Sequence, residues 1–406
     1  MRRKAVLVAG IALLLGLMIS ADGLSRSTAS KATNPIIIGV VGGFTGFMSP
    51  FDSPPYQAMQ LAVADVNAKG GVLGRPLKLI TADSKSDKVQ AGTAAARLIS
   101  KGAVFITAPC DFDFGGAAAL EAQKHKIVGM SPCAGTVQFG VQGIGPYAFT
   151  MGLSGATGAT AQAEWAYQIK KIRKVYILQD DFILYQKQTC KAFQARWTRL
   201  PGTKILGFDH FQNADPSIAT QIAKIKSLSE QPDALVVCSL PPGGVSALKQ
   251  IRDAGINVPI LAGVGFDGLY WQQGIPGLSN VYTIGYADLT GHDPVAAVNA
   301  LRKRLVAKFG VAGTRTGSFW LAGYSVIEAF KIAAEKAGTT DGPKLKAALD
   351  SFRNQRLLIG PTTFTPSLHI SLQRDVRLEQ IQNGKVSFLR LWKPQAVPPV
   401  NSWAKG

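Results

Sequence analysis

Two doubly wound α/β lobes are the architecture that this sequence predicts. Three observations lead there. At 406 residues the chain exceeds what one hydrophobic core usually supports. Buried-strand and amphipathic-helix patterns alternate from Pro35 onward, then restart near Ala159 and run through a second series. The helical patterns close on glycine, as at Lys69-Gly70-Gly71 and Lys101-Gly102. A hydrophobic content of 47% fits a globular protein.

The first series reads strand Ile36–Val41, helix Tyr56–Ala68, strand Leu77–Ala82, helix Lys88–Ser100 and strand Val104–Ala108. It goes on with helix Gly116–Lys124 and strand Ile127–Met130. Strands spaced by helices of this length make parallel sheets with right-handed crossovers. The second series has helices Ala159–Ile172, Tyr185–Trp197, Ser217–Ser227 and Val245–Ala254. Its strands are Val175–Gln179, Lys204–Phe208, Ala234–Cys238 and Pro259–Ala262. Three helices follow, Val295–Phe309, Phe319–Ala337 and Pro343–Leu349. The chain then ends in strands Val376–Gln382 and Lys385–Trp392 around Asn383-Gly384, a type I′ hairpin signal. These last elements are too few for a third sheet domain. They complete the first two, so the chain crosses between lobes more than once.

Residues 1–29 read as a signal peptide. Arg2, Arg3 and Lys4 precede the apolar run Ala5–Met18, and small residues place cleavage after Ala21 or Ala29. The run is short for a membrane span. The formal charge is +19, which raises nucleic acid or an anionic membrane as partners. The basic residues are scattered, however, and no basic-aromatic RNA motif occurs, so no nucleic acid is expected.

Enzyme signatures are missing. Val41-Gly42-Gly43-Phe44-Thr45-Gly46 lacks the dinucleotide turn, and Gly263-Val264-Gly265-Phe266-Asp267-Gly268 matches it without the expected helix behind. There is no GxxxxGK[ST] and no GxSxG. His125, His210, His292 and His369 have no histidine partner at helical spacing and read as surface residues; no metal and no cofactor are expected.

In open α/β sheets ligands sit at the carboxyl ends of strands. The loops there carry aromatics (Phe44, Phe51, Phe112, Phe114, Tyr185, Phe266, Tyr270, Trp271) and acids (Asp111, Asp113, Asp180, Asp181, Asp267). Such walls suit a small ligand with an apolar part and a donor or cationic group.

The stretch Ala62-Val63-Ala64-Asp65-Val66-Asn67-Ala68-Lys69-Gly70-Gly71-Val72-Leu73-Gly74, with Thr45-Gly46, Ser131-Pro132, Gln250-Ile251-Arg252-Asp253-Ala254-Gly255 and Gly360-Pro361, resembles the branched-chain amino acid ABC transporter substrate-binding proteins. The resemblance covers nearly the whole chain past the signal peptide. It implies a type I periplasmic-binding fold of two lobes joined by three crossovers, near Met151, Ala287 and Gly360. The first lobe would be 34–151 plus 287–359, and the second 152–286 plus 360–406. It also implies capture of a small-molecule ligand by hinge closure in the periplasm, with an ABC permease and ATPase as partners and no catalysis. A sensing module of the same fold is the alternative.

Carried over residue by residue, the resemblance assigns ligand contacts to Phe51, Asp111, Cys133, Ala134, Gly135, Thr136, Tyr185 and Asp267. Asp111 and Gly135 fall where amino acid binders carry hydroxyl residues, and Leu240 falls where they carry a tyrosine. The ammonium-binding acid falls on Gly265, or on Asp267 with a short shift. A plain α-amino acid therefore fits poorly. The resembled topology also makes the ends of the third and fourth strands neighbours, within disulfide reach for Cys110 and Cys133. Cys190 and Cys238 are expected to be free thiols; four buried unbonded cysteines are the alternative.

Overall fold

The computed structural model describes residues 34–311 and 316–405. The signal-peptide assignment, residues 1–29, lies outside them.

The first sheet is parallel, in the order β2-β1-β3-β4-β5, from β1 (Ile36–Gly42), β2 (Leu77–Asp83), β3 (Phe105–Thr107), β4 (Val128–Ser131) and β5 (Ala148–Thr150). One face is covered by α2 (Gln90–Ser100) and α3 (Phe112–Lys124). Their alanines Ala91, Ala94, Ala118, Ala119 and Ala122 let the helices lie close to the strands. Packed on the other side of this lobe are α1 (Ser49–Ala68), α8 (Ala296–Phe309), α9 (Trp320–Ala337) and α10 (Gly342–Asp350). A Cβ on Gly323 of α9 would stand 2.3 Å from the carbonyl of Pro55, so only glycine permits this helix contact.

The second sheet has seven strands, in the order β14-β13-β10-β9-β8-β6-β7. Its parallel part is β6 (Lys174–Asp180), β7 (Lys204–Phe211), β8 (Ala234–Cys238), β9 (Ile260–Ala262) and β10 (Val281–Gly285). Antiparallel to β10 runs the hairpin β13 (Val376–Gln382) and β14 (Lys385–Trp392). Asn383 and Gly384 have φ of 52° and 69°, which a type I′ turn requires at both positions. Among the flanking helices are α4 (Gly155–Gln168), α5 (Leu184–Trp197), α6 (Ala219–Ser227) and α7 (Gly243–Asp253). From α4, the Gln162 amide donates to the carbonyls of Ala262 and Tyr282 at 2.6 and 3.1 Å, which seats this helix on the second sheet.

Counted from each lobe's first strand, both sheets share the order 2-1-3-4-5. That places a topological switch point between β1 and β3, and another between β6 and β8.

Three crossings link the lobes, after β5, after β10 and before β13. Side chains tie them together. The Tyr286 hydroxyl accepts from the Leu153 N–H at 2.7 Å. Buried Arg374 donates to the carbonyl of Met151 and, at 3.0 Å, to Thr362 Oγ1. The third crossing comes later than the expected Gly360. Strands β11 (Gln355–Leu357) and β12 (Gly360–Thr362) form a small hairpin, and Phe364 and His369 then pack on Phe149 of β5. Only past Arg374 does the chain enter the second sheet.

His369 corrects the expectation that every histidine lies at the surface. It is buried, stacks 3.7 Å from the Phe149 ring and lies 2.9 Å from Asp350. The cysteines bring a second correction. Cys110 and Cys133 are joined, but so are Cys190 and Cys238, expected from the sequence to be free thiols. Helix α5 faces β8 across the core, and this brings the second pair together.

Candidate ligand-binding cleft

Between the lobes lies a cavity with about 440 Å³ of empty space, part of it continuous with solvent. Its lining comes from strand ends at and beside both switch points. From the first lobe come Phe47, Met48 and Phe51 after β1, Cys110 and Asp111 after β3, and Cys133 and Gly135 after β4. The second lobe supplies Ile183, Tyr185 and Gln186 after β6, Leu240 after β8, and Val264 and Gly265 after β9. Phe319, beside the hinge, closes the back. It meets Phe51 edge-on at 5.5 Å and Tyr286 at 5.6 Å.

Asp111 is the one charged residue among the described lining. It is buried, and as N-cap of α3 its carboxylate accepts from the Asp113 N–H at 2.7 Å. Burial pushes its pKa up to about 7, and the nearby Asp113 adds to the rise. Behind it, Asp52 of α1 accepts from the N–H groups of Gly43 and Cys110 at 2.6 and 2.7 Å. This fixes the β1 and β3 loops to each other. Burial raises the Asp52 pKa to about 7 as well, because the two backbone bonds offset only part of the desolvation.

Tyr185 reaches across from α5 onto Gly135. A Cβ on Gly135 would stand 2.4 Å from the Tyr185 ring and 2.7 Å from the carbonyl of Leu153. The missing side chain at 135 is thus the space the tyrosine uses. The Tyr185 hydroxyl and Gln186 Oε1 are buried without hydrogen-bond partners. Gly265 is fixed by its neighbours too: a Cβ there would meet the Ser239 carbonyl at 2.4 Å.

Of the residues expected at the ligand, Phe51, Asp111, Cys133, Gly135 and Tyr185 come together around the cavity. Ala134, Thr136 and Asp267 do not line it. Ala134 faces the outer core of the first lobe. Thr136 is fully buried, its hydroxyl without a partner. Asp267 is buried behind the wall, its carboxylate held by the backbone and side chain of Ser318. Burial raises its pKa to about 7. The acid position facing the cavity is therefore Gly265. Several loop aromatics pack away from the cavity: Phe44, partly buried, packs on Tyr56, and buried Phe266 on Trp271. Phe47, Met48, Ile183, Gln186 and Val264 also line the cavity; each adjoins a strand end, the one signal the sequence carries for them. Phe319 had no such signal, since it lies at the start of α9, away from any strand end.

At the cleft mouth the lobes touch. Phe182 meets Phe47 edge-on at 5.4 Å and Phe114 at 6.3 Å. The Lys88 ammonium lies 5.2 Å over the Phe114 ring and 5.9 Å over that of Phe182. Asp113 accepts from the Leu184 N–H at 3.0 Å, capping α5 from the opposite lobe.

Comparisons with known proteins agree with this geometry. A profile of the periplasmic binding protein family matches residues 35–385. A Leu/Ile/Val-binding protein of Rhizobium johnstonii is 24% identical over 343 residues, covering 84% of this chain and 90% of the relative. An amino acid binding protein of Pseudomonas aeruginosa is 23% identical, covering 88% of this chain and 90% of that one. The LivJ substrate-binding protein of Streptococcus pneumoniae, solved with isoleucine, superposes with a TM-score of 0.75 at 22% identity, over 89% of this chain and all of the other. A Rhodopseudomonas palustris solute-binding protein solved with benzoate gives 0.72 at 17% identity, over 90% and 98%. With two switch points facing one cavity and a family match across nearly all the described residues, the chain belongs to the periplasmic binding protein family.

Proposed function

We propose that this chain is the solute-binding component of an ABC importer, working in the periplasm and passing its ligand to a membrane permease and ATPase. It captures a small organic molecule between its lobes and releases it chemically unchanged. The observation that carries this reading is the cavity itself, walled by the strand ends of both lobes. A ligand favours the closed arrangement only through contacts made there, and this cavity offers contacts from each side. The relatives' names and the isoleucine and benzoate of two structural neighbours support a small, partly apolar solute. The basic n-region and apolar run of residues 1–18 support export. Family relatives named for binding support uptake over sensing.

A thermal-shift screen with small metabolites tests the proposal. A ligand at a hundred times its dissociation constant adds about 2.7 kcal/mol of stability. The expected result is at least one stabilising compound, recovered unaltered after prolonged incubation. A converted product, or no stabilising compound, contradicts it.

A further inference from the structure

We propose that the cleft selects an organic cation, a small amine with an apolar body and no carboxylate. This rests on the solute-capture reading above and adds the charge of the solute.

The polar atoms that face the cavity decide the sign. No lysine, arginine or histidine is among its described lining residues, and the single charged side chain is Asp111. Gln186 Oε1 is an acceptor, buried and without a partner. The Tyr185 hydroxyl, also unpartnered, can accept as readily as donate. A buried unsatisfied acceptor is costly, and a ligand rich in N–H donors relieves it. An ammonium offers three donors and one positive charge against the Asp111 carboxylate.

A ligand carboxylate has no comparable place. The natural dock for one is the leading end of α3, where N–H groups and the helix dipole favour an anion. Asp111 already occupies that end with its own carboxylate, bonded to the Asp113 N–H. An incoming carboxylate would meet Asp111 with Asp113 beside it. A zwitterion meets the same repulsion, and Gly265 supplies no second acid to hold its ammonium elsewhere. The rest of the wall, Phe47, Met48, Phe51, Ile183, Leu240, Val264 and Phe319 among it, is apolar, which suits an aromatic or branched aliphatic body.

Several groups surround Asp111 and bear on its charge. Asp113 lies on its own helix; Asp52 of α1 is bonded to the adjacent Cys110 N–H; Tyr185 of α5 faces it from the other lobe. Lys88 lies 3.9 Å from Asp113 and is half exposed. Among the described residues no cation is paired with Asp111, which leaves that role to the ligand.

The test uses two matched series: phenethylamine, L-phenylalanine and 3-phenylpropionate; and 3-methylbutylamine, L-leucine and 4-methylpentanoate. Each is titrated calorimetrically into the intact protein. One amine should bind at least tenfold tighter than both its amino acid and its acid. Its affinity should rise about tenfold from pH 6 to pH 8, as Asp111 loses its proton while the amine stays charged. Asp111→Asn keeps a good N-cap residue. It should lose at least tenfold in amine affinity and flatten the pH dependence. Tyr185→Phe, which retains the ring, should weaken the amine by a smaller factor. Tightest binding by an amino acid or an acid overturns the cation assignment and leaves solute capture standing. Absence of binding by all six also overturns it, and the metabolite screen then decides whether solute capture fails with it.

Discussion

Both lobes share one strand order and each carries one disulfide, yet the two bonds do different work. Cys110–Cys133 joins the ends of β3 and β4 and forms part of the cavity surface. With Asp52 bonded to Gly43 and Cys110, it makes the first lobe's wall a fixed frame. Cys190–Cys238 ties α5 to β8 in the core, away from the cavity, with both residues almost fully buried. The second lobe's wall is built instead from side chains, Tyr185 and Gln186, with unpaired polar atoms. One lobe thus presents a cross-linked surface, and the other adds side chains with unpaired polar atoms to the same cavity.

The largest effect follows from loop length. Cys190 and Cys238 close 48 residues, so the double alanine variant should lose about 4 kcal/mol in urea unfolding, with little change in ligand affinity. Cys110 and Cys133 close 23 residues, and their double alanine variant should lose about 3 kcal/mol together with a marked loss of affinity. Equal affinity in both variants would erase the distinction between a site bond and a core bond.

The buried carboxylates of the frame come next. Asp52 has its folded pKa raised to about 7, so the folded state binds more protons than the unfolded state between about pH 4 and 7. Stability should therefore fall as pH rises through that window, by up to about 1.4 kcal/mol per pH unit for this group, and level off above it. In Asp52→Asn the slope should shrink, as followed by urea midpoints from pH 5 to 8. An unchanged slope would mean that Asp52 does not titrate in this window.

At the hinge, Tyr286→Phe leaves the buried Leu153 N–H without its acceptor. The expected loss is about 1–3 kcal/mol, read from the same unfolding curves. The cleft mouth should matter least. Phe182→Ala removes two ring contacts from a partly exposed position. Affinity for the best ligand of the metabolite screen should fall about twofold to tenfold, with stability nearly unchanged. A loss of stability equal to that of Tyr286→Phe would make Phe182 a core residue instead of a closing contact.

Much of the fold was legible because the buried strands and amphipathic helices are written locally. The Asn383-Gly384 hairpin and the two restarting series came from spacing alone. The strands overlooked were β5 and β10, the last of each parallel series, and the short hairpin strands β11 and β12. Short β5 follows a long loop, and β10 lies beyond the irregular stretch after β9, so neither stands between helices. The site was less legible. Residues next to strand ends could be collected, but whether each turns inward depends on packing. Phe266 and Trp271 turn into the second core, and Asp267 turns to Ser318. Gly135 looked like a lost contact in the sequence; in the fold it is the space that Tyr185 enters. Cys190 and Cys238 were misread because pairing a helix residue with a strand end depends on how α5 packs on the sheet, which spacing does not encode.

On the function proposed above, ligand is held where Tyr185 closes onto Gly135. Gly135→Ala tests it most directly, because the added Cβ would stand 2.4 Å from the tyrosine ring and hold the two walls apart. Calorimetric titration of the native protein and this variant with the best ligand of the metabolite screen gives the reading, with circular dichroism and the unfolding midpoint confirming that both are folded. Affinity should fall at least tenfold in a variant that still folds. Undiminished affinity in a folded Gly135→Ala protein would contradict it and place the ligand elsewhere.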